Sequence, residues 1–563
     1  MPNEIELLDL LLKNRGIKEE DKEKFLNPSY EEGIYDPYLM KDMEKTVVRI
    51  FEAVEAKEKI VIYSDYDCDG IPASVIMHDF FTKIGYTNFT IYIPDRHDEG
   101  YGLHMDAIKN FINEEVDLLI TFDLGITAVD EVVEATAGGI DVIITDHHLP
   151  HAQVPRAYAI LNPKQDGCTY PDTMLCGAGI AFKLIQALII KYGEYWKINK
   201  GWEKWLLDMA GIATLADQVP LLDENRVLAT YGLKVLQKGR RLGLVEIFKK
   251  AGVDITKLSE EDVTFTLAPR INAASRMADP MMAFEMLSAT DAVIAKASAD
   301  NLAKINDERK IIVAHMMKEV KKVLGKREDK KVIVIGNPTW RVGVLGIIAS
   351  KIAEEYKRPA FVWGTDGSDD LKGSCRSWGG ANLVEIMTAL PENSLLGFGG
   401  HAGAGGFSVA QTEIHFLEER ILNVYGEEEE IEVALSATRR GGGINESIEG
   451  AEAIISIDDI TSGNYNVIEK LAPYGEGNPK PKFLFKELPI YGIKEFGKEK
   501  NHLELSYLNS KGKIVKAIAF FKTRESYNNI LNVGERIDLV ATFEKSTFGG
   551  RTELRLRIVD IIC

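Results

Sequence analysis

Cysteine is scarce in this sequence, and long apolar runs are missing altogether. Five cysteines occur in 563 residues, at Cys68, Cys168, Cys176, Cys375 and Cys563, and none of them form a Cys-x-x-Cys pair. An odd, scattered set excludes a disulfide framework and a zinc ribbon and reads as free thiols. Nowhere do about 18 apolar residues run without interruption, which excludes a transmembrane helix. The first residues, MPNEIELLDLLLKNRG, put acids ahead of a short apolar run. A secretory signal is therefore not expected, and the expected location is the cytoplasm. A basic surplus is also missing: 67 Lys and Arg stand against 86 Asp and Glu, a formal charge of −19. That excludes a chain that attracts nucleic acid with its whole surface, but not one with a local basic groove. No Gly-Lys pair is followed by Ser or Thr, so there is no P-loop. Gly397-Phe398-Gly399-Gly400-His401-Ala402 fits GxGxxA loosely, but a histidine inside it does not suit a dinucleotide turn.

What is present is a globular balance, with 45% hydrophobic and 27% charged residues. The length predicts three or four domains. Residues 1–45 read as a polar, helical N-terminal segment broken by Pro28 and Pro37. β-branched runs then alternate with helical stretches at 60–63, 89–93, 118–122 and 142–145, which predicts βαβ units and a parallel sheet buried on both faces. The first α/β domain is expected over 46–285 and a long connecting helix over 286–328. A second α/β domain follows over 329–435, opening at Val332-Ile333-Val334-Ile335. The acidic run 427–432 and glycines 441–443 read as a connector. Short strands with turn signals from about 453 predict a small β-barrel, giving a C-terminal domain over 436–563.

The strongest signal is where acids fall relative to strands. The first strand runs into Asp65-Tyr66-Asp67-Cys68-Asp69-Gly70, the third into Asp123-Leu124-Gly125 and the fourth into Asp146-His147-His148. Ligands in open α/β sheets bind at the carboxyl ends of strands. A single strand-end Asp is usually a loop cap. Several carboxylates and two imidazoles at consecutive strand ends would repel one another unless cations neutralise them. An oxygen-rich set with one or two histidines suits Mg²⁺ or Mn²⁺ better than structural Zn²⁺. Asp65-x-Asp67-x-Asp69-Gly70 also opens like an EF-hand loop, but residue 76 is Ile where that loop needs Glu, and a strand precedes it.

These residues, with Asp217 in Ala213-Thr214-Leu215-Ala216-Asp217, resemble the four motifs of the DHH phosphoesterases. The resemblance narrows to the RecJ family of single-strand-specific 5′→3′ DNA exonucleases. It does so through Pro94-x-Arg96-x-x-Glu99-Gly100-Tyr101-Gly102, Leu175-Cys176-Gly177-Ala178-Gly179 and Pro269-Arg270-Ile271-Asn272-Ala273-Ala274-Ser275-Arg276. Trp340-x-x-Gly343-Val344-x-Gly346-Ile347, Lys372-Gly373-Ser374-Cys375-Arg376-Ser377 and Gly399-Gly400-His401 continue it, the last two being of DHHA1 type. LAPYGEGNPKPKF at 471–483 is similar to the entry of that family's OB domain. Two positions depart: Arg341 stands where the family usually has His, and Ser275 where it usually has Gly.

The resemblance implies two Mn²⁺ or Mg²⁺ ions, one held by Asp65 and Asp67, the other by Asp69, His147 and Asp217, with Asp123 bridging. Two such ions can activate water and stabilise the leaving oxygen of an in-line phosphodiester cleavage. It implies that His148 donates to the scissile phosphate, the other reading being support of His147. Arg96, Arg270, Arg276, Ser374, Arg376 and His401 are the candidate phosphate contacts, and Asn272 a base or sugar contact. Single-stranded DNA is the expected partner, in repair and recombination. A single-strand-binding protein and a helicase are candidate partners; no membrane is, and the expected state is a monomer. Tyr474, Phe483, Phe520, Phe521 and Phe548 are candidates for base stacking, although aromatics in a small barrel are mostly core. Alternatives are a DHH phosphoesterase acting on RNA or short oligonucleotides, including a 3′→5′ enzyme, and a scaffold that has lost its metal ligands.

Overall fold

The computed structural model describes residues 4–97, 99–327, 330–425, 450–497, 500–527, 531–548 and 551–562. The acidic run 427–432 and glycines 441–443 lie outside the described residues. The chain divides into two compact units. One is built from Tyr35–Val219 and Leu228–Arg440, the other from Met1–Ile34, Pro220–Val227 and Gly441–Cys563.

The larger unit opens with five parallel strands: β1 (Ile60–Ser64), β2 (Phe89–Tyr92), β3 (Leu118–Phe122), β4 (Asp141–Thr145) and β5 (Ala159–Leu161). Their order is β2-β1-β3-β4-β5. The near-continuous apolar runs of β1 and β3 are buried at every residue. This is what a strand covered on both faces requires. β2 is at the edge and only partly buried, so the double-sided burial expected of all four runs does not extend to it. Because β1, β3 and β4 are neighbours, their carboxyl ends lie side by side.

The same unit holds the second sheet: β6 (Ile333–Gly336), β7 (Ala360–Gly364), β8 (Asp370–Arg376), β9 (Gly397–His401) and β10 (Ala404–Ala410), in the order β6-β7-β8-β10-β9. β6 and β7 are parallel and the remaining pairs antiparallel. Between the sheets runs the helix Ala292–Leu324, 33 residues long. Asp291 caps it by accepting from the Val293 and Ile294 amides.

Among its described residues the smaller unit carries seven strands: β11 (Ala453–Ile454), β12 (Phe483–Pro489), β13 (Gly492–Phe496), β14 (His502–Leu508), β15 (Ile514–Ala519), β16 (Arg536–Phe548) and β17 (Arg551–Ile562). Their order is β11-β12-β16-β17-β15-β14-β13. The polar N-terminal segment expected over 1–45 is not a separate body. Leu7, Leu11, Leu12 and Phe25 are buried in one core with Phe483, Leu505, Leu539 and Leu556. The strap Pro220–Val227 joins them. Leu221 donates its amide to the Glu476 carbonyl, and buried Arg226 donates to the Phe25, Leu471 and Ala472 carbonyls. Within that core Tyr474 and Phe483 are buried, whereas Phe521 is 79% exposed. The Phe548 side chain lies outside the described residues.

Candidate metal centre and phosphate cleft

Backbone ladders carry the strands past their ends and set the acidic side chains in register. The Asp65 amide donates to Phe122, that of Asp123 to Thr145 and that of Asp146 to Leu161. Asp67 Oδ1 accepts from the Asp69 and Gly70 amides at 2.7 and 3.1 Å, a side-chain turn that folds the first acidic loop onto itself. A side chain on Gly70 would reach within 2.5 Å of the Asp65 carbonyl, so only glycine allows this turn. Asp123 has φ of 63°, a left-handed backbone that Asp tolerates better than most residues.

The helix Gly177–Tyr192 aims its amino end at this cluster. The Gly177 and Ala178 amides donate to the two Asp69 carboxylate oxygens at 2.6 and 2.7 Å. The unsatisfied amides and positive end of a helix favour an anion there. Gly177 also packs on Asp123: a Cβ would stand 2.7 Å from the Asp123 Cβ.

His147 Nε2 lies 3.1 Å from Asp123 Oδ1, 3.7 Å from Asp69 Oδ2 and 3.8 Å from Asp217 Oδ2. Three sets of side chains bring ligand atoms within 4.8 Å of one another: Asp65, Asp67 and Asp123; Asp69, His147 and Asp217; and Asp123, His147 and His148. All six expected ligands thus come together, and Asp123 belongs to two of the sets.

The electrostatics demand cations. Asp123 is pushed far above the usual carboxylate range by burial and by Asp69, Asp67 and Asp65. Burial and the Asp67 charge do the same to Asp65, and raise Asp69 to about 6. Burial and Asp69 raise Asp217 to about 8. Burial and His148 hold His147 down at about 3, so its imidazole is neutral and fit to ligate. Asp65 Oδ1 and Asp123 Oδ1 are buried without a hydrogen-bond partner. Buried oxygens left in this state cost free energy that a divalent cation would recover. The donor set therefore fits oxygen-preferring Mn²⁺ or Mg²⁺.

His148 is held differently. Its Nδ1 lies 2.8 Å from Asp146 Oδ1 and 3.2 Å from the Tyr101 hydroxyl. Burial opposes its protonation, but the hydrogen bond and charge of Asp146 win, and its pKa is raised. Asp146 also accepts from the Ile126 amide, and Tyr101 donates to the Asp123 carbonyl. Lys164 donates to the His147 carbonyl at 2.5 Å. Tyr101 and Asp146 lay inside the quoted motifs without a role, and Lys164 had no signal in the sequence.

Beside the carboxylates lies a cluster of guanidinium groups. Arg96 sits 4.9 Å from the centre of the Tyr66 ring and partly offsets the rise that burial and Asp67 impose on Asp65. Arg276, on the helix Ala268–Met277, donates to the Gly343 carbonyl at 3.1 Å. Its pKa falls to about 9 through burial and the repulsion of Arg96, Arg309 and Arg376. Arg376, at the end of β8, donates to Ser374 Oγ at 3.2 Å. Arg270 donates to the Thr266 carbonyl, while its Nε and Asn272 Oδ1 are buried without partners. Ser275 is buried and returns its hydroxyl to the Asn272 carbonyl, so the departure from glycine is accommodated. Arg309, which the sequence did not single out, joins from the long helix.

His401 stands apart. It pairs with Ala404, which pairs with Arg376, so it shares their row two strands away, roughly 10 Å at ordinary strand spacing. It is exposed.

Family models match in three places: the DHH family, N-terminal domain, over 59–214; the DHHA1 domain over 329–427; and the RecJ OB domain over 451–560. The single-stranded-DNA-specific exonuclease RecJ of Bacillus subtilis is 35% identical over 560 residues, covering 98% of this chain and 67% of the relative. That of Haemophilus influenzae is 31% identical over 580 residues, covering 99% and 96%. The crystal structure of RecJ in complex with Mn²⁺ from Thermus thermophilus matches with a TM-score of 0.78 at 26% identity, over 99% of this chain and 76% of that one. A manganese-bound exonuclease RecJ matches at 0.61 and 30% identity, over 69% and 95%. Among the described residues no helix is long and apolar enough to cross a membrane. With identity of this level spanning nearly all of both chains, and the three domain models in order along it, this chain belongs to the RecJ family of single-stranded-DNA-specific exonucleases.

Proposed function

We propose that this protein hydrolyses single-stranded DNA from its 5′ end, releasing 5′-mononucleotides, with two Mn²⁺ or Mg²⁺ ions. The observation that carries the reading is the adjacency of two unneutralised clusters in one unit: buried carboxylates, and guanidinium groups of which Arg276 is depressed by burial and by its neighbours. A phosphodiester strand with cations at one phosphate satisfies both.

Asp65, Asp67 and Asp123 would hold one ion, and Asp69, His147, Asp217 and Asp123 the other. When bound, such a pair supplies an activated water and charge neutralisation at the leaving oxygen. The chain's own part is positioning and proton control. The 177–192 helix fixes Asp69 through two amides. Asp146 favours the protonated form of His148 against burial and holds its Nδ1, so that its Nε2 can donate to the scissile phosphate. Arg96, Arg276 and Arg376, with Ser374, would grip the terminal 5′ phosphate, Arg forks being matched to phosphate oxygens. Arg270 and Asn272 would meet the adjoining nucleotide, and His401 the strand further out.

The natural setting of this activity would be DNA repair and recombination in the cytoplasm. A helicase and a single-strand-binding protein would supply the strand. Both clusters are complete in one chain, which supports action as a monomer.

The test uses single strands labelled at either end, with Mn²⁺ or EDTA. Immediate release of labelled mononucleotide from the 5′ end, abolished by EDTA and by Asp123→Ala, is expected. Release from the 3′ end first, or no cleavage of DNA, would refute the assignment.

A further inference from the structure

A cavity of about 670 Å³ is lined in part by Arg276 of the arginine cluster and by none of the candidate metal ligands. Arg276 lines both the cavity and the cluster. Its other cations are Arg341 and Lys372, with His97 at the rim. Arg341 is exposed, its guanidinium makes no hydrogen bond or ion pair among the described residues, and it is one of the two positions that depart from the family pattern. The Lys372 ammonium donates to Ser408 Oγ at 3.3 Å.

β8 connects the two regions. Alternate residues of a strand share a face, so Lys372, Ser374 and Arg376 form one row. Ser374 and Arg376 face Gly346 of the helix Val342–Tyr356: a Cβ there would come 3.0 Å from Arg376 and 3.2 Å from Ser374. Lys372 extends the row by roughly 7 Å, at about 3.3 Å per residue. Thr365, Ser368 and two carboxylates, Asp366 and Asp370, also line the cavity, and Asp366 interacts electrostatically with Lys372.

With the terminal phosphate among Arg96, Arg276 and Arg376 and the next phosphodiester at the carboxylates, a cavity that shares Arg276 but none of the candidate metal ligands is left for whatever is attached to the other side of that phosphate. A monophosphate leaves it unused. Space of this size suits a group as large as a nucleotide, and the surplus of Arg276, Arg341 and Lys372 over Asp366 and Asp370 suits further phosphates.

We infer that Arg341 and Lys372 form a subsite for a 5′-phosphoanhydride, so that the enzyme accepts strands ending in a 5′-triphosphate or in a pyrophosphate-linked nucleoside. This rests on the exonuclease reading above. Hydrolysis would add water to the first internal phosphorus and break its bond to O3′. The terminal nucleotide would leave with its 3′-hydroxyl and its polyphosphate intact, and the shortened strand would carry the new 5′-monophosphate.

The experiment gives the full chain, with Mn²⁺, single strands that differ only in the 5′ end: monophosphate, triphosphate or 5′-adenylylated. Products are separated by chromatography. The expected first product of the triphosphate strand is a deoxynucleoside triphosphate. Arg341→Gln and Lys372→Gln should each lower the triphosphate-to-monophosphate ratio of kcat/KM by about tenfold, the loss of one charge-assisted contact. Arg341 is exposed, so its variant should fold. Turnover of the adenylylated strand alone would assign the subsite to a linked nucleoside. Triphosphate and adenylylated strands that resist attack, or ratios unchanged in both variants, would overturn the subsite while leaving the exonuclease intact. Resistance of the monophosphate strand as well would overturn both.

Discussion

Gly177→Ala tests whether the spacing of the metal centre is set by packing. The added methyl would stand 2.7 Å from the Asp123 Cβ and 3.0 Å from its Cγ and Oδ1, where ordinary contact begins near 3.4 Å. A gap of at least about 0.7 Å must therefore open. The Asp123 backbone has little room to yield. It is left-handed, its amide is bonded to Thr145 and its carbonyl accepts from Tyr101. The carboxylate shared by both candidate metal sets takes the displacement. Misplacing a reacting group by about 1 Å costs roughly a hundredfold, so kcat should fall about 30- to 100-fold. Overpacking should also cost roughly 1–3 kcal/mol of stability. Gly179→Ala is the control. It lies two residues along the same helix, and its methyl meets nothing nearer than 3.6 Å. The assay is Mn²⁺-dependent mononucleotide release, with Mn²⁺ affinity by calorimetry and melting for fold integrity. A Gly177→Ala protein with kcat within threefold of normal and unchanged Mn²⁺ affinity would refute the reasoning.

Asp146→Asn removes the carboxylate that holds the His148 pKa up against burial. The alkaline limb of the kcat–pH profile should then move to lower pH, with kcat at pH 8 reduced about 10- to 100-fold; an unmoved limb would remove His148 as the donor. In the metal-free protein Asp69 and Asp217 are raised to about 6 and about 8, against roughly 3.9 unfolded. The folded state then binds more protons than the unfolded one across that window, so stability should fall as pH rises from 5 to 8 in EDTA. Mn²⁺ should reverse the trend in thermal melts, and a melting temperature that rises with pH in EDTA would contradict the arrangement. Arg226→Ala leaves several buried carbonyls without a donor and should cost about 3 kcal/mol in urea denaturation; a loss below 1 kcal/mol would show that the strap does not hold the smaller unit together.

Much of the site was legible because its residues sit where a local pattern ends. Asp65, Asp123 and His147 follow apolar runs whose register the parallel sheet enforces, so naming the strands named their ends. Asp67 and Gly70 shape their own turn within four residues. Such signals depend on covalent neighbours and survive in a one-dimensional reading. The arginines were visible as residue types, but an isolated Arg carries no address.

Folding decided everything that depends on distant segments meeting. Asp69 is bound by amides more than a hundred residues away. The repulsion that depresses Arg276 comes from Arg96, Arg309 and Arg376 on separate elements. Tyr101 reaches His148 only because its loop passes over the ends of β3 and β4. The N-terminal helices looked polar because no partner was in view; Leu7, Leu11 and Leu12 pack against strands more than four hundred residues away. Chain order alone pointed to the family, to the carboxylate and imidazole types at the strand ends and to an order of domains, since those readings follow from local runs and their spacing. Which charges are desolvated and how far each is shifted were fixed by tertiary burial, because a dielectric environment is a property of the packed volume around a group and not of its neighbours in sequence.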